Sequence, residues 1–155
     1  MGRAKNGKRG GAQNVASIVG FEKACELAAA ALQADAEHVL ALRNHFEGRV
    51  LAEVADVSIS GDPANRLPNT TSLAFACVDS EARLLLLHEQ EVCSSAGPAY
   101  TSGSVHPYHV LKAIGFSDSH ARSSLRFSFS KSNSLAETNR AVAALLKAVA
   151  KARSL

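Results

Sequence analysis

The chain has 155 residues, of which 46% are hydrophobic and 20% charged, and its net charge is +3. That length suits one domain with a core of its own. The composition is neither that of a disordered chain nor that of a membrane protein, because no apolar run approaches the roughly 20 residues a span requires. Arg3, Lys5, Lys8 and Arg9 hold much of the positive charge, so the remainder is near neutral and offers neither the basic face nor the recognition motif of a nucleic-acid binder.

In chain order, residues 1–13 form a basic N-terminal segment without an apolar secretory core, and residues 14–155 read as one domain. Asn14 is placed to cap a helix reaching about Val54, on which Ile18, Phe21, Cys25 and Ala28, then Val39, Leu42, Phe46 and Val50, keep a helical stripe. A break near Ala34–Ala36 would divide it into two helices. Ala55–Ser60 and Thr70–Val78 alternate as strands, with Gly61-Asp62-Pro63 breaking the first. A helix follows from Asp79 or Ser80 to about Glu89, then a short strand over Glu91–Cys93 and a Ser/Gly loop. Pro107 suits the first turn of a helix that Gly115 stops, and a helical piece near Asp118–Arg122 comes next. Ser123–Ser130 is a strand with Leu125, Phe127 and Phe129 on one face and Ser124, Arg126 and Ser128 on the other. Ser134-Leu135-Ala136-Glu137 is a capping box that opens a final amphipathic helix. The fold class is α+β, a small, mostly antiparallel sheet covered by helices.

Cys25, Cys77 and Cys93 follow no metal-ligand spacing and are odd in number, which points to a reducing compartment, cytoplasmic or organellar, with cysteines acting as small buried hydrophobes. Cys93 in particular reads as a buried strand residue rather than a nucleophile. The histidines are scattered and no metal site is expected. Arg126 is the leading binding candidate. A guanidinium fixed on the polar face of a strand grips a carboxylate through two parallel hydrogen bonds; the alternative is an arginine paired with a neighbouring acid or lying on solvent.

Several segments share a resemblance. Ser94-Ser95-Ala96-Gly97-Pro98-Ala99-Tyr100-Thr101-Ser102-Gly103-Ser104 resembles the active-site loop of the cysteine desulfurases, Ser-Ser-Gly-Ser-Ala-Cys-Thr-Ser-Gly-Ser. Gln13–Gly20, Arg66-Leu67-Pro68-Asn69-Thr70, Pro107–Gly115 and Ser123–Ser128 match the same family in the same order. These are class-V aminotransferase-like enzymes dependent on pyridoxal phosphate, which transfer sulfur from L-cysteine, leave alanine and serve iron–sulfur cluster assembly. The resemblance implies the C-terminal small domain of a fold-type I pyridoxal-phosphate enzyme. It implies Arg126 as the holder of the substrate carboxylate and Ser94, Ser95, Gly97, Thr101, Ser102, Gly103 and Ser104 as a mobile active-site loop.

The departures from the family pattern bear on activity. Tyr100 stands at the place of the nucleophilic cysteine, and a phenol of pKa about 10 is a poor sulfur acceptor. Ala12 stands where the family has a Thr that reaches the cofactor phosphate across the dimer. The Schiff-base Lys of the family's large domain has no counterpart here. The expectation is therefore a desulfurase-like domain inactive alone and without cofactor of its own. Two alternatives are a pseudoenzyme or interaction module binding a full-length desulfurase or a sulfur-acceptor protein, and a selenocysteine lyase-like piece. A further arrangement has a separate chain supply Lys and cofactor. The expected partners are a second copy or a full-length relative, with no nucleic acid and no membrane.

Overall fold

The computed structural model describes residues 12–76, 80–96 and 109–154, so Gly97, Tyr100, Thr101, Ser102, Gly103, Ser104, Cys77 and Pro107 lie outside the described residues. The chain divides into two compact units, Met1–Asp35 and Ala36–Leu155.

Helix α1 (Val15–Glu53) begins in the first unit and ends in the second. Asn14 Oδ1 accepts from Ser17 N at 3.1 Å, the N-cap bond its sequence position suggests. The expected break near Ala34–Ala36 does not occur. An Ala-rich stretch has high helix propensity and contains no Gly or Pro to interrupt it. The first half of the expected stripe is also overturned: Ile18, Phe21 and Cys25 are exposed, whereas Val39, Leu42, Phe46 and Val50 are buried.

In the second unit, β1 (Val57–Ile59), β2 (Thr70–Phe75) and β3 (Ser124–Ser128) form an antiparallel sheet in that order. The register places Ile59, Leu73 and Leu125 side by side, with Val57 beside Phe75 and Thr71 beside Phe127. Opposed residues of an antiparallel pair share a face, so these form the core side. Helix α5 (Leu135–Arg153) adds Val142, Leu145 and Val149 to the core, α1 adds Phe46 and Val50, and α2 (Ser80–His88) adds Leu87. Phe46 is fully buried, its ring 4.9 Å from Phe127 and 5.6 Å from Phe129. Each such aromatic contributes about 2–3 kcal/mol through burial. The capping box at Ser134 and Glu137 is formed, with both reciprocal bonds present.

The end of α2 corrects another expectation. Glu91–Cys93 is not a strand. Val92 N donates to Leu87 O and Glu91 N to His88 O, both at 3.0 Å, which is a Schellman closure of α2. Glu91 takes the left-handed position with φ 58°, where glycine is usual. The matching closure at the end of α3 (His109–Ala113) does use glycine, Gly115 with φ 96°. Helix α4 (Asp118–Arg122) then leads into β3.

Candidate functional site

Arg126 lies at the middle of β3 on the face away from the core, opposite Ser72 of β2. On its other side the chain returns from α2 and makes a two-way bridge: Ser95 N donates to Arg126 O at 3.0 Å and Arg126 N to Ser95 O at 2.7 Å. Ser72, Arg126 and Ser95 therefore stand in one row across the polar face. Ser95 is the last residue but one described before the Ser/Gly loop, so the root of that loop is fixed to the backbone of the arginine. Arg126 is exposed, and its guanidinium makes no hydrogen bond or ion pair among the described residues. Of the readings open from sequence, pairing with a neighbouring acid is removed among those residues, and the arginine lies on solvent. A free, strand-anchored guanidinium can receive a carboxylate.

The same face is closed one pair further along β3. Ala74 and the opposed Ser124 are buried beside α4, where Ser124 Oγ donates to His120 O at 2.8 Å. His120 is held in turn: its Nε2 is 2.8 Å from Ser60 Oγ and its ring stacks on Phe116 with centroids 4.2 Å apart. Burial pushes the His120 pKa below its ordinary value, because a charged imidazolium there loses water.

A second polar group fixes the segment before β2. Arg66 clamps Glu47 of α1 with bonds of 2.5 and 2.7 Å, while Arg43 donates to Leu67 O at 2.7 Å. All three side chains are nearly or largely buried. Burial, and then the charge of Arg66, lower the Arg43 pKa, and Glu47 opposes both. The spacing of Arg43 and Glu47 on one helix face was legible in sequence. Their partner Arg66, on a distant loop, carried no local signal.

Cys93 departs from its expected buried strand position. It is exposed with a free thiol, because α2 closes just before it and the bridge to β3 begins only at Ser95. It lines a cleft of about 360 Å³ between the end of α2, the end of β3 and the first turns of α5, with Phe46 of α1 behind it. Cys25 is likewise exposed, against the expectation of a buried hydrophobe. Ala12 is exposed and offers only a methyl group. Ser94 has its hydroxyl buried without a hydrogen-bond partner among the described residues. No three His, Cys, Asp or Glu among the described residues are grouped to hold a metal, and no helix among them is long and apolar enough to cross a membrane.

A small antiparallel sheet with helices in this order is the architecture of a small domain of fold type I. The chain belongs to the class-V aminotransferase family, whose profile it matches over residues 3–140. It is 37% identical over 154 residues to a cysteine desulfurase of Gluconacetobacter diazotrophicus, and 38% identical over 154 residues to the cysteine desulfurase NifS of Azotobacter vinelandii. In both cases the match covers 99% of this chain and 38% of the relative. A solved NifS-like protein from Rickettsia africae superposes with a TM-score of 0.76 at 26% identity, covering all of this chain and 39% of that one. The chain thus spans well under half the length of these relatives.

The family depends on pyridoxal phosphate, and among the described residues no lysine stands in a cleft that fits that group. It needs a lysine for the Schiff base and a partner for the ring nitrogen. Lys23, Lys112, Lys131, Lys147 and Lys151 are all exposed. Lys23 pairs with Glu26 and Lys112 with Asp118, and no lysine lines the cleft.

Proposed function

We propose that this chain supplies the substrate-carboxylate half of a cysteine desulfurase-type site, with Arg126 as the gripping residue and the segment from Ser94 to Ser104 as its active-site loop. The guanidinium of Arg126, without a partner among the described residues and tied through its backbone to Ser95, carries this reading. The family reaction, sulfur transfer from L-cysteine with release of alanine, does not run on this chain alone. Tyr100 occupies the nucleophile's place, Ala12 lacks the phosphate-binding hydroxyl, and the lysine and cofactor come from another polypeptide segment. The purified chain is expected to show no pyridoxal-phosphate absorbance and to release no alanine, and Tyr100→Cys is expected not to change that. Mixed with a cofactor-loaded desulfurase large domain, it should bind L-cysteine, and Arg126→Lys should weaken that binding by about tenfold through loss of the bidentate grip. Alanine release by the chain unaided, or an Arg126 variant that binds L-cysteine normally, would overturn the proposal.

One observation favours an interaction role in addition. Val15, Ile18, Val19, Phe21, Leu27 and Leu32 are all exposed on α1. At 3.6 residues per turn all but Leu27 fall within one arc of about 160°, and an apolar helix face of this kind is ordinarily covered by other structure. A full-length desulfurase-like protein or a second copy of this chain meets that need better than solvent does.

A further inference from the structure

We propose that the cleft beside Cys93 is a binding site for a free amino acid with an apolar side chain, separate from the Arg126 site. Its apolar lining is half-buried Val92, Phe129 and Ala141, with Phe46 and Phe127 buried behind them. Its rim carries both charges. Glu91 stands on the wall at the end of α2, and Arg140 on the wall made by α5. The Glu91 carboxylate makes no hydrogen bond or ion pair among the described residues, and Arg140, with its side chain 78% exposed, reaches Glu137 only at 3.9 Å. A carboxylate and a guanidinium over an apolar floor match the ammonium, carboxylate and side chain of a zwitterionic amino acid. The cleft of about 360 Å³ is at the small end of the range of ligand pockets, which suits a single amino acid rather than a nucleotide.

Glu91 adds an independent pointer. It holds a left-handed backbone position at φ 58°, where Gly115 serves the same closure of α3 without strain. A side chain retained at such a position against its steric cost is a signature of functional sites.

L-Leucine serves as the probe, and the Cys93 thiol in the cleft reports on occupancy. Alkylation of the intact chain by iodoacetamide, followed peptide by peptide so that Cys25 and Cys77 are read separately, should slow at Cys93 as leucine is added and remain unchanged at Cys25. Calorimetry should give the same dissociation constant as the protection curve. Glu91→Gln and Arg140→Gln should each weaken leucine by about tenfold, the usual worth of one charge-assisted contact. On the unaltered chain, 4-methylpentanoate, which lacks the ammonium, and 3-methylbutylamine, which lacks the carboxylate, should each protect far less than leucine. Absence of leucine binding overturns the proposal, as does binding that ignores both substitutions. If only one charged end matters, the zwitterion assignment fails. Because neither Arg126 nor pyridoxal phosphate enters this experiment, its outcome is independent of the desulfurase reading.

Discussion

Single side chains of this molecule are settled by whether a buried polar atom has a partner. Thr71 is 1% exposed and sits beside Phe127 on the core face, where its hydroxyl has no partner. Thr71→Val keeps the shape and the β-branching and removes the unpaired group. It should stabilise the chain by about 1 kcal/mol, read as a higher denaturant midpoint at unchanged slope. A lower midpoint would mean that the hydroxyl is satisfied after all. Glu47 is the opposite case. Its carboxylate is the counter-charge of Arg66 and lies near Arg43 in a largely water-free setting. Glu47→Gln leaves two guanidinium groups without it and should cost about 3 kcal/mol, against almost nothing for removal of an exposed pair such as Lys23–Glu26. The two-residue comparison separates burial from mere pairing.

Among the elements, the helix ends are the informative places. Glu91→Gly relieves a left-handed non-glycine residue at the close of α2 and should stabilise the chain by about 1 kcal/mol, while weakening leucine protection of Cys93 by about tenfold. A gain in stability joined to a loss of binding is the outcome that a retained, strained carboxylate predicts. The link between α4 and the end of β1 is pH-sensitive. His120 has its pKa lowered by burial, so the fold prefers the neutral ring. That contribution to stability is whole above the ordinary value of 6.5 and is lost as pH falls through the lower folded value. Unfolding followed from neutral to acid pH should therefore show a decline below that point that is shallower in His120→Gln. Identical profiles for the two proteins would assign the decline to other groups. Secondary structure was largely legible at this scale. The capping box at Ser134, the glycine stop at Gly115 and the alternation around Arg126 are local signals, and each element they announced is present. Glu91–Cys93 misled because a short Glu-Val-Cys run has the composition of a strand, while the closure of α2 that defines it is a hydrogen-bond pattern reaching back to Leu87 and His88.

At the scale of the whole molecule, the described part of α1 leaves several large apolar side chains exposed. Phe21 is 72% and Leu32 69% exposed on α1. Exposed patches of this kind mark interfaces or drive association. Sedimentation of the chain should show concentration-dependent association that Phe21→Lys with Leu32→Lys suppresses, without loss of stability, since neither side chain is buried. A compact monomer at all concentrations would show that this surface needs no cover.

The sequence alone determined the family resemblance, the α+β class and the position of Arg126 on a polar strand face, because each rests on residues adjacent or periodically spaced along the chain. It also named Tyr100 and Ala12 as departures, which are matters of identity at a position. Only the tertiary structure decided which residues meet across distance. It brought Ser95 to Arg126, Arg66 to Glu47 and Ser60 to His120, and it exposed Cys93 at a cleft to which four separate elements contribute. Those contacts depend on strand register and helix packing, which are set by burial of the shared core rather than by any signal local to the residues that touch.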